Sequence, residues 1–387
     1  MPVVLFDNRY RNSLRPFTYN HAIGDIRLGI YTLQEWWQLQ SDHTVYLETE
    51  DYLKAKYTRP PAGYHIFIDA SVIADQELTQ RILQLKQDTA LADDAGIIAA
   101  HIHSSAADSM SKGILDINIT KLPAVDRLLH PWQLFLWNKQ VLTQQFEWLM
   151  KHRQNNRFLP ASVRLTGPQD NLLIEEGAVV EHAYINTTEG PVYIAKGTLI
   201  MDSASIRGPF TLCEGSVIKM GAKIYGATTI GPGCTIGGEV KNSIFQGYSN
   251  KAHDGYIGDS VIGSWCNLGA GTSNSNVKNT ANIVSIWNDD AGKPQPIGNK
   301  AGVIMGDYTR TAINASINTG SYFGLCCNIA TTGFPPPVLH NFSWLTNHLQ
   351  QYDFQKALRD IRNWLQFKHH DLPETEISIL KYIFERS

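Results

Sequence analysis

An aliphatic residue returns at every sixth position through the middle of the chain: Ile194, Ile200, Ile206, Leu212, Ile218, Ile224, Ile230 and Ile236. Four positions after most of these stands a compact residue (Thr198, Ala204, Ser216, Ala222, Thr228, Cys234, Val240), preceded in several units by a turn former such as Gly197, Ser203, Gly215, Gly221 or Gly233. An amphipathic helix repeats its apolar face near every 3.6 residues and a two-faced strand every two, so neither accommodates a period of six. A six-residue unit suits a short strand and a tight turn, three units closing one triangular coil that stacks on the next through parallel hydrogen bonds. The pattern predicts a left-handed parallel β-helix of hexapeptide repeats from Leu172 to Phe334, with Ile174 and Val180 leading in and Ile262, Leu268, Ile297 and Val303 following. Residues 242–255 and 274–296 read as excursions from the stack, where function tends to gather.

Short apolar runs begin at Val3, Thr44, His65 and Gly96, with helical patterns over 25–40 and 75–87, an alternation that favours a parallel α/β sheet. A polar stretch, 151–156, reads as a hinge. Leu345, Leu349, Phe354, Leu358, Ile361 and Leu365 recur at helical spacing, predicting a tail that covers the open end of the stack. The expected organisation is an α/β domain over 1–155, the β-helix over 156–338 and a helical tail over 339–387.

Composition narrows the function. A formal net charge of -3 with 18% charged residues lacks the basic surplus of a nucleic-acid binder. No stretch approaches the roughly 20 apolar residues that span a bilayer, and the N-terminus lacks a leader pattern, so no membrane partner and a cytoplasmic location are expected. Cys213, Cys234, Cys266, Cys326 and Cys327 form neither a disulfide framework nor a metal-binding pair pattern.

The chemistry concentrates in the stretch from Glu239 to Thr272. It contains Lys241, then His253, then Tyr256-Ile-Gly-Asp, then Asn267-Leu-Gly-Ala-Gly-Thr. This phrase resembles the acetyltransferase half of the bifunctional N-acetylglucosamine-1-phosphate uridyltransferase/glucosamine-1-phosphate acetyltransferase family. The resemblance implies that His253 is the general base, that Lys241, Tyr256, Asn267 and Asn276 contact a sugar phosphate, and that the backbone at Ala270 and Gly271 holds the thioester oxygen. It also implies acetyl-CoA as acyl donor and a homotrimer with shared active sites. The residue types suit that chemistry: an attacking amine must lose a proton, histidine ordinarily titrates near pH 6.5, about where such a base is useful, and a backbone N–H in a glycine-rich segment can meet an oxyanion. The bland alternative is that His253 merely occupies a surface loop. The family's downstream lysine is out of register in Gly271-Thr-Ser-Asn-Ser-Asn-Val-Lys, and Leu212 and Cys213 stand where an arginine is expected after Gly208-Pro-Phe. The run from Met305 to Asn318 resembles the β-helix end of archaeal-type sugar-1-phosphate nucleotidyltransferases, where acetyl-CoA would bind.

The N-terminal part is similar to the nucleotidyltransferase partner domain, a reduced Rossmann-like α/β fold, and most so to a variant, Bacteroidetes-type branch of the family. Leu14-Arg-Pro-Phe-Thr resembles the nucleotide loop, but Asn8-Arg-Tyr-Arg-Asn replaces the glycine-rich cradle. Arginines supply charge without the close backbone approach that glycines allow, so Arg11, Arg15 and Arg27 are either a substitute nucleotide clamp or surface arginines. Asp69, ending an apolar strand, stands where the family binds Mg²⁺; the alternative is an aspartate capping the next turn. The resemblance implies acetyl transfer to an amino-sugar 1-phosphate such as glucosamine 1-phosphate, coupled to UTP-dependent uridyl transfer. The alternatives are a catalytically reduced sugar-nucleotide-binding regulator or scaffold, or a nucleotidyltransferase for another sugar 1-phosphate. A zinc lyase on the same β-helix would need three clustered imidazoles, and the coils offer only His182 and His253.

Overall fold

A computed structural model describes residues 2–106, 117–152 and 159–387. The hinge expected at 151–156 lies largely outside them: Lys151 and His152 end a helix, and 153–156 are not described. Strands β1 (Val3–Phe6), β2 (Val45–Glu48), β3 (Tyr64–Asp69), β4 (Thr89–Asp93), β5 (Gly96–His103) and β6 (Asn118–Lys121) form one sheet in the order β2-β1-β3-β5-β4-β6. It is mixed rather than parallel as expected, because β5 runs antiparallel to both neighbours. The link from Asp93 to Gly96 explains this: a tight hairpin can only reverse the chain, whereas a parallel neighbour needs a long crossover.

Helix α1 (Leu33–Ser41) is shorter than its apolar pattern suggested. Thr32 and Glu35 form a reciprocal capping box that starts the helix there, after a small antiparallel pair of Arg27–Leu28 with Tyr31–Thr32. Helix α2 (Gln76–Leu83) is capped by Asp75, and α3 (Pro131–His152) carries the long aromatic stretch.

The β-helix has three faces. Its first is a 9-stranded parallel sheet from Leu172–Ile174 to Val338–Leu339, and its second a 10-stranded sheet from Val179–Val180 to Leu349–Gln351. The third is a 6-stranded sheet from Arg164–Thr166 to Tyr256–Gly258, continued by the pair Ser273–Asn274 with Ser316–Ile317. The repeat's aliphatic residues stack in register, Ile174 on Ile194 on Leu212 on Ile230, and are fully or nearly fully buried. The period-six reading thus describes the interior columns directly. Of the two expected excursions only one leaves the stack: Val284–Asn288 and Lys293–Gly298 form an antiparallel hairpin, whereas 242–255 is an ordinary coil with strands Ile244–Gly247 and Asn250–Lys251. The stack also continues past 338, so Leu345 and Leu349 are strand residues of a final hairpin. The helical tail is α4 (Phe354–Phe367) and α5 (Glu374–Phe384).

The N-terminal sheet shares a core with the β-helix. Ile244, Val261, Ile304 and Tyr322, pointing outward from the first face, pack with Leu134, Phe135 and Val141 of α3, while Asn138 of α3 donates to the Ala227 carbonyl at 2.9 Å. The tail covers the edge between the first and second faces through Tyr308, Leu325, Phe342, Leu358 and Leu380. A buried polar knot ties the three parts together: His21 Nε2 lies 2.8 Å from Asp307 Oδ2, Asn20 donates to both Asp307 and Glu376, and Lys56 pairs with Glu376.

Candidate functional site

The edge between the second and third faces is left bare by both the N-terminal domain and the tail. At corresponding corners of the coils stand Met220 and, after the intervening Gly237-Gly238 turn, His253, Ala270 and Ile313. His253 is exposed, and Met220 and Ile313 are 68% and 69% exposed. Gly271 N–H donates to the Asp254 carbonyl at 3.0 Å, so the His253 and Ala270 corners are in contact. Directly before the His253 corner the chain turns from Ile236 to the third face in only Gly237-Gly238, two residues fewer than the turn at Lys219-Met220-Gly221-Ala222.

Lys241, Tyr256 and Asn276 come together on the outside of the third face. Lys241 pairs across strands with Gly258, two residues after Tyr256. The Tyr256 ring lies over Gly258, where a Cβ would come within 2.1 Å of the phenol oxygen. Asn276 Nδ2 donates to that oxygen at 3.1 Å and also to Asp259, whose other carboxylate oxygen accepts from Asn242 Nδ2 at 2.6 Å. Burial, with Asp259 and Glu239 nearby, pushes the Tyr256 phenol up to about 12. Asn267 stands apart on the adjoining second face, paired with Asn250. Of the two backbone groups expected to meet the thioester oxygen, Gly271 is already committed to Asp254, which leaves Ala270 as the candidate. Asp259, Asn242 and Gly258 escaped sequence reasoning about roles; the signal available was the adjacency of Gly258-Asp259 to Tyr256.

The Met305–Asn318 run passes through two corners of the β-helix, the first of which faces the domain junction. Its Asp307 binds His21 and Asn20, and Arg310 is buried beneath Trp364 of the tail. At the run's second corner Ile313 is exposed on the bare edge and Asn314 N–H donates to the Ala270 carbonyl at 2.6 Å, so this part of the run expected near acetyl-CoA adjoins the Ala270 corner.

In the N-terminal sheet the three arginines do not converge as a clamp. Arg11 is buried, its Nε 2.8 Å from Asp7 Oδ2 and its guanidinium on the Thr18 and His21 carbonyls. Arg15 pairs with Asp289 of the hairpin at 3.3 Å, over the Tyr19 ring. Arg27 is buried against the Ile30 carbonyl and Glu35. Each is paired with a carboxylate of the protein, although Nε of Arg15 and of Arg27 is buried without a partner among the described residues.

Asp69 is 3% exposed, and its residues do not fit a divalent cation. Oδ1 accepts from Asn8 Nδ2 (2.7 Å) and from Ser71, while Oδ2 faces Arg127 Nε at 3.1 Å. Arg127 also binds Asp93 and so fills the position between the two carboxylates that a metal would need. Burial pushes Asp93 up, and its bonds from Arg127 and from the Val125 and Ala95 amides outweigh this and lower it. Among the described residues no group of three or more His, Cys, Asp or Glu side chains is arranged to hold a metal ion, and no helix is long and apolar enough to cross a membrane.

A Rossmann-like sheet is thus docked on a β-helix that carries a histidine at a bare edge. Residues 3–154 match the family model described as sugar nucleotidyl transferase. The chain is 30% identical over 207 residues to the bifunctional protein GlmU of Methanococcus maripaludis, covering 50% of this chain and 40% of that protein. It is 35% identical over 94 residues to GlmU of Methanocaldococcus jannaschii, 24% of this chain and 22% of that one. It is also 36% identical over 92 residues to the bifunctional sugar-1-phosphate nucleotidylyltransferase/acetyltransferase of Sulfurisphaera tokodaii, again 24% and 22%. The chain thus spans well under half the length of the curated relatives it matches.

Proposed function

We propose that the β-helix transfers an acetyl group from acetyl-CoA to the amine of an amino-sugar 1-phosphate, glucosamine 1-phosphate first among candidates. The observation that carries this reading is the stacking of the His253 corner on the Ala270 corner beside the Lys241–Tyr256–Asn276 face. The sugar amine attacks the thioester carbonyl and gives its proton to the His253 imidazole; the C–S bond then breaks, and the imidazolium returns the proton to the departing thiolate. Ala270 N–H meets the oxyanion and Lys241 balances the phosphate. A homotrimer would close the bare edge, the exposed Met220 and Ile313 serving as its contact rim. Replacing His253 by Ala lowers acetyl transfer by roughly 10²–10⁴-fold with the oligomer intact; unchanged turnover refutes the assignment.

The N-terminal domain, on this reading, handles the same sugar phosphate, with transfer of a uridyl group from UTP as its reaction. A second reading, that this domain binds a sugar nucleotide without turning it over, is favoured by Arg127 standing between Asp69 and Asp93 and by Asp289 paired with Arg15 in the loop expected to hold the nucleotide. Pyrophosphate release from UTP and N-acetylglucosamine 1-phosphate decides between them: release supports uridyl transfer, whereas UDP-sugar binding without release supports the second.

A further inference from the structure

Inside the β-helix the second-face column runs Ile200, Ile218, Ile236 and then, in register, Lys251. This lysine is 1% exposed, at a position where the three preceding coils place isoleucine and the next places Leu268. Its Nζ donates to the carbonyl of His253. The floor of the arrangement is Gly238, at φ +70°, where a Cβ would lie 2.9 Å from Lys251 Nζ and 2.8 Å from the His253 oxygen. The shortened Gly237-Gly238 turn therefore makes the room in which the ammonium sits. Burial holds that ammonium below the usual lysine range, to about 8, with Asp254 the one charge noted against the trend. A desolvated cation in an aliphatic column costs stability that isoleucine or leucine would not, and such local violations mark functional positions.

We propose that Lys251 is a positioning residue for acyl transfer, holding the His253 carbonyl from inside the coil and so fixing the backbone that presents the imidazole to the edge. Its effect on rate rests on the acetyl-transfer reading; its effect on the corner does not. The test is Lys251→Met in the full chain, whose side chain fills the column without a donor. Two amides report on the corner: Glu239 N–H bonds the Gly255 carbonyl and Gly271 N–H the Asp254 carbonyl, each at 3.0 Å. Their hydrogen exchange quickens about tenfold or more, while Leu199, bonded to Ser216 in a distant coil, exchanges as before. The melting temperature stays level or rises. With acetyl-CoA and glucosamine 1-phosphate, kcat falls about tenfold or more at unchanged KM for both substrates, the signature of lost transition-state alignment rather than lost binding. Unchanged exchange at Glu239 and Gly271 overturns the proposal, and so does quickened exchange with unchanged kcat. If the native chain transfers no acetyl group at all, the functional reading fails by itself while the exchange data still decide what Lys251 does.

Discussion

The two charged centres of this chain are built on opposite plans. In the N-terminal sheet Asp69, Asp93 and Arg127 face one another with side chains 1 to 4% exposed, and every oxygen described there meets a donor of the protein itself. On the β-helix edge the polar groups are tied to one another on one side only: Asp259 holds Asn276, Asn276 holds Tyr256, and Lys241 and His253 face outward. A closed set of charges stabilises a fold, whereas a pre-oriented set with one side free can meet a ligand. The contrast marks the third face of the β-helix, rather than the Asp69–Asp93 centre, as the surface free to meet a ligand.

The sharpest way to break the comparison is to open the closed centre. Arg127→Ala leaves two buried carboxylates without their cation, and removing one partner of such a pair costs about 3–5 kcal/mol. A drop of that size in the urea midpoint stability is expected. A cost below about 1 kcal/mol would mean that water or a cation reaches Asp69 and Asp93 freely, and the centre would have to be read as a site. Acetyl transfer per folded molecule should be unchanged in this variant, because Arg127 lies in another domain.

The junction lies between these extremes, and pH separates it from both. Burial and Lys56 push His21 down, but Asp307 and Asp25 outweigh them and raise it to about 9. A folded-state value above the ordinary 6.5 or so means that the imidazolium's contribution is complete below about pH 6.5 and is lost as pH climbs through about 9. Stability should therefore fall between pH 6.5 and 9, by roughly 3 kcal/mol, in the native chain and not in His21→Gln. Asp307 and Asp25 are lowered, burial opposing and His21 outweighing it, so their contribution is lost only in the acid range, as pH falls through those depressed values. Equal slopes for the two proteins between pH 6.5 and 9 would show that His21 is not charged in the knot.

How much was legible follows from the kind of signal each feature leaves. Ile194 to Ile236 displays the coil directly because every rung adds the same six residues. The next coil was read as an excursion because the Gly237-Gly238 turn removes two residues and Lys251 stands where an aliphatic belongs, so period and polarity fail together. His253 and its companions were legible as a motif, whereas Asp259 shows its purpose only when Asn242 and Asn276 are seen to converge on it. Arg127 lies 58 residues from Asp69, and no local pattern announces a pairing made by tertiary folding. Charge alone likewise could not tell that Arg11 points into the core.

The smallest effect sharpens the open centre. Because burial and two nearby carboxylates push the Tyr256 phenol up to about 12, it stays protonated across the working pH range. Asn276 already donates to its oxygen at 3.1 Å, so the phenol's own hydrogen is left for another acceptor. A phosphate or hydroxyl oxygen of the sugar is a suitable acceptor, and one neutral hydrogen bond contributes about 0.5–1.5 kcal/mol. Tyr256→Phe keeps the ring over Gly258 and the Asn276–Asp259 bond while removing that single donor. KM for the sugar phosphate should rise roughly three- to tenfold, with KM for acetyl-CoA and kcat unchanged. If KM for acetyl-CoA rises instead, the third face holds the acyl donor, and the amino sugar must be sought on the second face, beside Asn267.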